Sequence, residues 1–365
     1  MAGIDSNSSN VGFKKSSTWN TETAITSTGA MRLRCSALSA KQQINTFTGR
    51  DIGAGRKMTA TTREEVSLPV SVACDSTYGQ SYLAFLAAVM GTEGSATETT
   101  VGQSDYSHTF DLADNVYNSN KIIWSLGWTT EDATYLRVIP SVKFGGFTFQ
   151  SDVNKVGTWT FRGLGDRIVD SGATTTNANL AALSNSTDYE FAPLGGSGLY
   201  FRINTSSGGS LSSGDNKDIE YVSVELNRNF VPEYSARGAS SGYILEPREQ
   251  GFIIGKLTVR FREIAEGTQA IQSWIENQTK LKAELFYSGA TINSGVATSF
   301  KFQFPYMEIE PADPDGYDIA NNSSLMKPTV TFNLLKASAA PTGMTGVTDY
   351  LRITAIDRRA TKWTA

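Results

Sequence analysis

The histidine content of the chain limits the catalytic chemistry that the sequence can support. His108 is the only histidine, so a Ser-His-Asp or Cys-His mechanism would have a single possible base. Its neighbours alternate between aromatic Tyr106 and Phe110 and polar Ser107 and Thr109, a pattern typical of a β-strand. We therefore predict that His108 has a structural role.

Candidate metal ligands are few and poorly spaced. One histidine is too few for a His-based zinc site, and Cys35 and Cys74 lack the close spacing of a zinc knuckle. The best cation candidate runs from Asp313 to Asp318, where closely spaced carboxylates flank a glycine turn that can wrap calcium. Its twelfth position is Ser324 and not the glutamate of an EF-hand loop, so an ordinary Asp/Gly turn is favoured.

Motifs of other enzyme classes are missing from the sequence. There is no GxxxxGK[ST] phosphate loop and no GxGxxG opening a helix after a strand. Paired carboxylates for glycoside hydrolysis cannot be recognised from sequence, because their separation in space is what matters. We predict that the protein is not an enzyme and has no catalytic, cofactor-binding or metal-binding residues.

Alternating arginines form the only pattern suited to phosphate contact. Arg32 and Arg34 share one face of a predicted strand, as do Arg260 and Arg262. The formal net charge of −4 and the pI near 5.3 argue against a protein that holds nucleic acid by neutralising many phosphates. A solvated or subunit-facing strand surface is the favoured interpretation.

Length and composition set the scale of the fold. A chain of 365 residues is long enough for two domains with independent cores, and two cysteines are too few for a disulfide scaffold. The first ten residues, MAGIDSNSSN, lack the apolar core of a secretory signal, and no apolar run reaches transmembrane length. Synthesis and folding in a cytoplasm, with no membrane partner, are expected.

The elements that must position these residues are clearest between Lys217 and Tyr287. An alternating strand ends at Pro232, and a second one at 256–262 follows a polar loop. Thr268 is a suitable N-cap for a short amphipathic helix that ends near Thr279, and a strand from Leu281 follows. The unit is strand, long loop, strand, helix, strand.

The same order of elements occurs in the first half. A strand at 31–36 precedes a Gly-rich loop, and the return strand spans 59–72. Asp75, Ser76 or Thr77 is the expected N-cap of a helix that Gly91 ends. The strands that follow also correspond, so the sequence predicts an internal duplication. The corresponding segments are 121–128 with 281–287, 133–149 with 297–310, and 157–161 with 328–332.

These patterns divide the chain into five regions. They are an N-terminal arm at 1–30, a first domain at 31–165, a linker and loop at 166–198, a second domain at 199–340, and a C-terminal strand or arm at 341–365. The arm is polar and is expected either to order against a neighbour or to be a mobile tail. The C-terminal strand near 350–356 has no evident partner in the hairpins before it, so it is expected to pair with the N-terminal arm or with another subunit.

A β-bulge and a pair of long polar segments are also predicted. The apolar phase shifts across Gly145 and Gly146, which indicates a β-bulge. The polar segments 43–57 and 233–250 are longer than tight hairpin turns and occupy equivalent places in the two halves, which suggests a repeated contact with a neighbour.

Several short segments together resemble tail tube proteins of long-tailed, siphovirus-like bacteriophages. The similar segments cover roughly residues 31 to 340. They are Gly55-Arg56-Lys57, Val89-Met90-Gly91, Tyr106 to Phe110, the strands with Phe147, Phe149, Trp159 and Phe161 ending in Gly163, Pro247-Arg248-Glu249, and Gly255 to Phe261.

The resemblance implies a mainly β fold in which each unit is a β-sandwich or split barrel with one flanking α-helix. Units of that family associate side by side around a lumen, and most form hexameric rings that stack. Two tandem copies in one chain would need only three chains, so a homotrimeric, pseudo-hexameric ring is expected. The implied role is a conduit for double-stranded DNA in the virion tail, assembled in the host cytoplasm with a tape-measure protein and tail-end proteins. The alternative is a phage decoration or receptor-binding β-module.

Overall fold

The computed structural model describes most of the chain as one connected, mainly β structure. The described residues are 10–26, 28–49, 60–76, 80–114, 116, 121–129, 135–152, 155–170, 173–183, 199–234, 244–262, 273–293, 295–310 and 329–364. Their strands form one 17-stranded sheet and two separate two-stranded sheets. Neighbouring strands in these sheets pair antiparallel.

The elements of the first half follow the alternating pattern of the sequence. They are β1 (Val11–Ser16), β2 (Ala30–Arg32), β3 (Ala37–Ala40), β4 (Gln43–Gly49), β5 (Ala60–Ser67), β6 (Pro69–Asp75), α1 (Leu83–Met90), β7 (Gly91–Glu93), β8 (Thr97–Glu98), β9 (Tyr106–Leu112), β10 (Ile123–Thr129), β11 (Leu136–Asp152) and β12 (Thr158–Gly165).

A short helix separates these elements from those of the second half. The remaining elements are α2 (Asn177–Ala181), β13 (Tyr200–Thr205), β14 (Ile219–Asn227), β15 (Phe230–Tyr234), β16 (Ile244–Glu249), β17 (Ile254–Phe261), β18 (Leu281–Asn293), β19 (Val296–Ile309), β20 (Thr329–Leu334) and β21 (Arg352–Asp357). Residues 273–276 form a helical turn between β17 and β18.

The order of strand pairing is the same in the two halves. In the first half the neighbours run β1–β10–β11–β12–β6–β3. In the second half they run β13–β18–β19–β20–β17–β14. A separate hairpin interrupts each half at the equivalent place, β4–β5 between β3 and β6, and β15–β16 between β14 and β17.

Two sets of pairings join the halves. The end of β11 pairs with β14 over residues 146–152 and 221–227. On another side β21 lies between β9 of the first half and β19 of the second half. The expected C-terminal strand therefore exists, but its partners are in the same chain and are not a terminal arm or another subunit.

One hydrophobic core serves both halves. Phe149 of β11 contacts Phe302 of β19 with ring centroids 5.3 Å apart, and Trp159 of β12 contacts Phe300 at 5.6 Å. The expectation of two independent cores is therefore wrong. Because β11 pairs with β14, the apolar faces of the two halves meet and exclude water together.

The first helix is predicted correctly except at its start. α1 ends at Gly91, whose φ of 82° is left-handed, and a Cβ there would come within 2.3 Å of Val116. Its N-cap is Tyr82, without a side-chain cap, because a single 3-10 turn at 80–82 leads into the helix. All eight helical residues are buried, so their apolar character reflects a fully enclosed helix.

The N-terminal region is part of the core sheet. β1 lies between β2 and β10, and Phe13 is fully buried against Phe85 and Trp124. The prediction of an arm is therefore wrong for residues 11–16. The polar residues around this short strand conceal its apolar positions, and only the contact with β10 shows that they are buried.

Other boundaries also differ from the sequence prediction. The strand expected at 31–36 is replaced by β2 and β3, because Ser36 already turns towards β6 with its N–H donating to Ala73 O. The segments expected to be irregular loops contain the β4–β5 and β15–β16 hairpins. The described part of the predicted linker also packs on the fold, through the buried side chains of Leu180 and Leu183.

The bulge expected at two adjacent glycines is confirmed. The register between β11 and β12 shifts between Phe144 and Gly146. A Cβ on Gly145 would come within 2.4 Å of the Phe230 ring, so the bulge makes room for a side chain from the second half.

Candidate functional site

The strand junction between β11 and β14 is the central contact between the halves. Phe147 lies opposite Leu226, and Phe149 lies opposite Val224. All four side chains are at most 2% exposed. Two strand edges therefore close against each other here, and their apolar faces become continuous.

A buried arginine reinforces this junction. Arg228 follows β14, and its guanidinium donates from Nη2 to Met90 O at 2.9 Å and to Ala113 O at 2.8 Å. It also donates to Val89 O and, from Nη1, to Glu249 Oε1 at 2.8 Å. The guanidinium thus satisfies carbonyls at the C-terminal end of α1, where a helix favours positive charge. Burial lowers the pKa of Arg228, and Glu249 partly opposes that effect.

The β15–β16 hairpin adds a second charged contact. Lys143 is buried in β11, and its Nζ lies 3.2 Å from Glu246 Oε1 and 5.2 Å from the centre of the Phe230 ring. Lys121 reaches the other oxygen of Glu246 at 3.2 Å. Burial lowers the pKa of Lys143, while attraction to Glu246 raises it. The hairpin is consequently tied to the first half by both charge and apolar contact.

The sheet that crosses the junction has one apolar and one polar face. From β6 through β12, β11, β14, β17 and β20, alternate residues are buried in the core. We define the polar face as the other set of alternating residues. This polar face includes Thr148, Asp152, Arg162, Glu225, Lys256 and Arg260.

Cations on the polar face lie beside carboxylates. Arg162 Nη2 donates to Glu225 Oε1 at 2.7 Å and also contacts Thr148. Arg260 lies 3.3 Å from Asp152 Oδ1 and 3.6 Å from Glu220 Oε2. These paired charges present little unbalanced positive potential to a polyanion.

The arginine pairs predicted from alternation do not form one surface. Arg260 belongs to the polar face, whereas Arg32 lies in β2 and its carbonyl accepts from Ser81. Arg262 follows β17 and is exposed. The structure therefore does not bring the two pairs together as a phosphate site.

His108 lies in β9, in agreement with the strand pattern of its sequence, and is buried. Its Nδ1 is 3.3 Å from Glu93 Oε1, and its Nε2 is 2.9 Å from Arg359 O and 3.2 Å from Asp357 Oδ1. Both ring nitrogens face acceptors, so the imidazolium form satisfies both. This arrangement fits the predicted structural role.

The carboxylates around His108 also hold the C-terminal segment. Glu93 accepts from the N–H of Trp363 at 2.7 Å and from that of Thr364 at 3.1 Å, and Trp363 Nε1 donates to Asp357 at 3.1 Å. Burial alone lowers the pKa of His108, but hydrogen bonds and attraction to Asp357 and Glu93 raise it to about 9. Burial tends to raise the pKa of Glu93, yet the bonds from His108, Trp363 and Thr364 hold it below its usual value.

The described sheet also has an open edge. β3 pairs with β6 on one side, and no strand among the described residues pairs with its other side. Leu38 and Ala40 are half-buried there, while Ala37 and Ser39 are exposed. Unpaired strand edges of this kind are places where another chain can add.

The remaining candidate residues do not come together as a reactive or metal-binding group among the described residues. Cys35 and Cys74 are free thiols, and burial raises the pKa of Cys35 to about 12. No group of three or more His, Cys, Asp or Glu side chains in the described ranges is placed to hold a metal ion. The predicted cation segment from Asp313 to Asp318 lies outside those ranges.

Some contacts at the junction were not predicted from sequence. Arg228 and Glu249 are separated by a hairpin, and neither sits in a recognisable motif. The only local signal is a charged residue directly after an alternating strand, which is also typical of solvated positions. Likewise, nothing in the sequence links Glu93 with Trp363.

Comparisons with known protein families and curated proteins identify no relative of this chain. No protein-family model matches the chain, and no curated protein is similar to it. No helix in the described part of the chain is both long and apolar enough to span a membrane.

Proposed function

We propose that this protein is the structural subunit of a bacteriophage tail tube, built from two tandem copies of a tail-tube-like domain. Three chains would form a pseudo-hexameric ring around a lumen, and rings would stack into a tube. The proposal combines the sequence resemblance with a structural arrangement that repeats within one chain.

The main support for the proposal is the repeated strand order, in which the edge at β14 is joined to β11 and the edge at β3 has no second partner among the described residues. β3 and β14 hold equivalent places at the end of the two pairing orders. β14 is covered by β11, whereas β3 has a described partner on one side only. A chain that joins its own halves edge to edge and leaves the equivalent edge open is suited to repeated side-by-side association.

The polar face is the part of the sheet that suits the lumen of such a ring. Its alternation is set by burial of the opposite face in the core, so it must point away from the body of the subunit. Arg162 and Arg260 are paired with Glu225 and Asp152. Double-stranded DNA would therefore meet a polar wall on which the basic groups are already balanced, and it would pass without sequence-specific binding.

The proposed partners follow from this role. In the assembled virion tail the subunit would contact further copies of itself, a tape-measure protein inside the lumen and tail-end proteins at the two ends. Assembly would take place in the bacterial host cytoplasm, and no membrane partner is required.

Purified protein imaged by negative-stain electron microscopy tests the proposal directly. We expect rings or tubes with threefold or pseudo-sixfold symmetry, and sedimentation velocity should show trimers or larger species. A monomer at high concentration, with no rings in the images, would contradict the tube and favour a decoration or receptor-binding module. Glycan binding by that monomer would strengthen the alternative.

A further inference from the structure

The shared pairing order lets residues of the two halves be placed in register. Phe161 of β12 lies opposite Val72 of β6, and Phe332 of β20 lies opposite Leu257 of β17. When Phe161 is matched with Phe332, Val72 corresponds to Leu257. The next strands then match as well: Leu38 corresponds to Val224, and Ala40 to Leu226.

The same matching identifies the counterpart of the β11 edge. Phe147 lies opposite Phe161, and Ile309 lies opposite Phe332, so Phe147 corresponds to Ile309. In the first half, β11 leaves β10 after Val142 and pairs with β14 from Gly146 onward. In the second half, the pairing of β19 with β18 ends at Met307. Beyond it, β20 covers one side of β19.

The residues that correspond to the β11–β14 junction in the two open edges are less buried than the junction residues themselves. Leu38 and Ile309 are half-buried, although Val224 and Phe147 are fully buried. No strand within the described chain covers the outer side of β3 or the side of residues 308–310 that faces away from β20. The described part of the chain thus has two complementary open edges. The junction between β11 and β14 shows how such edges can pair.

We infer that β3 of one copy pairs antiparallel with residues 308–310 of a second copy and reproduces the junction between β11 and β14. Phe147 lies opposite Leu226 and Thr148 opposite Glu225 in that junction. The matched register places Ile309 opposite Ala40 and Glu310 opposite Ser39 of the neighbouring copy. This inference rests on the proposed tube function and names the surface through which rings close.

The contact is head to tail, because the two edges are different surfaces of the same chain. Each copy offers one of each edge, so copies can add in series, and the series ends when the rotation between neighbours completes a ring. The β4–β5 hairpin of one copy would then approach the second half of its neighbour, as the β15–β16 hairpin approaches the first half within the chain through Glu246.

Cysteine cross-linking tests the register. Residues directly opposite each other in antiparallel strands have Cβ atoms about 5 Å apart, close enough for a disulfide at favourable pairs. Two double variants should be made, Ala40→Cys with Ile309→Cys and Ser39→Cys with Glu310→Cys, because adjacent pairs differ in hydrogen bonding and spacing. After mild oxidation of the assembled protein, denaturing gels without reductant should show covalent dimers and trimers for at least one pair.

Matched controls separate this contact from other disulfides. The native chain carries Cys35 and Cys74 and reports the background. The off-register variant with Ala40→Cys and Glu310→Cys places the thiols on opposite faces and should stay near that background. Mixed single variants Ala40→Cys and Ile309→Cys should give a dimer that neither gives alone, since the edges belong to different copies.

The outcomes distinguish the inferred contact from the proposed function. Rings visible by electron microscopy, with neither in-register pair cross-linked, would overturn the inferred edge while leaving the tube proposal in place. Absence of both rings and cross-links would overturn both. Rings with cross-linking confined to an in-register pair support both.

Discussion

Arg228 Nη2 donates to the main-chain carbonyl of Met90 at 2.9 Å, so a side chain of the second half caps the last residue of the helix in the first half. This contact couples the two halves at the same place where β11 and β14 pair. The helix end has few alternatives, because it is enclosed in the core and cannot reach water.

Replacement of Arg228 should therefore destabilise the whole chain. Arg228→Met keeps much of the length but removes a donor from three carbonyls and from Glu249, and the Met90 carbonyl keeps only the N–H of Ala113. We expect a loss on the order of 3 kcal/mol in the free energy of unfolding, measured by urea denaturation. Arg162→Met, which removes an exposed pair, is the control and should cost less than about 1 kcal/mol. Equal effects of the two substitutions would contradict this role for Arg228.

The cluster around His108 should make stability depend on pH. The folded pKa of about 9 lies above the ordinary value of 6.5, so the charged histidine stabilises the fold fully below pH 6.5. That contribution is lost as the pH rises through about 9, and we expect a decrease on the order of 2 kcal/mol across this window.

His108→Gln supplies the control for the pH experiment. It cannot titrate, so its unfolding free energy should change less between pH 6.5 and 9 than that of the native chain. Parallel curves for the two proteins would show that another group causes the pH dependence. Thermal unfolding followed by circular dichroism at each pH provides the measurement.

β1 should be required for folding. Phe13→Ala removes a ring that is fully buried against Phe85 and Trp124, and we expect a loss of about 3–5 kcal/mol. Lys15→Ala, on the same strand but exposed, should change stability by less than about 0.5 kcal/mol. Both can be compared by thermal unfolding. If Phe13→Ala folded with native stability and failed only in stacking, the region would act as the arm expected from sequence.

The balance of charge on the polar face should limit binding of DNA. A variant with Asp152→Asn and Glu225→Gln leaves Arg162 and Arg260 without those carboxylate partners. We expect its assembled form to retain double-stranded DNA at low salt, with affinity that falls steeply as salt rises, in a fluorescence anisotropy titration. Asp170→Asn combined with Asp114→Asn removes two carboxylates outside this face, the partners of Arg137 and Lys336, and so controls for the same change in net charge. Equal binding by both variants would remove the polar face from consideration as the lumen wall.

The sequence by itself determined the local elements of this protein. Alternation indicated strands such as β12, β14 and β17, Gly91 marked the end of α1, and Gly145 with Gly146 marked the bulge. These features depend on side-chain periodicity and on backbone freedom, which are properties of adjacent residues.

Only the tertiary structure decided which edges meet and which charges are buried. It placed β1 inside the sheet, β21 between β9 and β19, and Arg228 against the end of α1. Strand pairing and desolvation arise between segments far apart in the chain, and a short polar sequence gives no sign of the distant surface that covers it. The pairing of β14 with β11, and the pairing of β3 on one side only among the described residues, are therefore structural facts that periodicity could not supply.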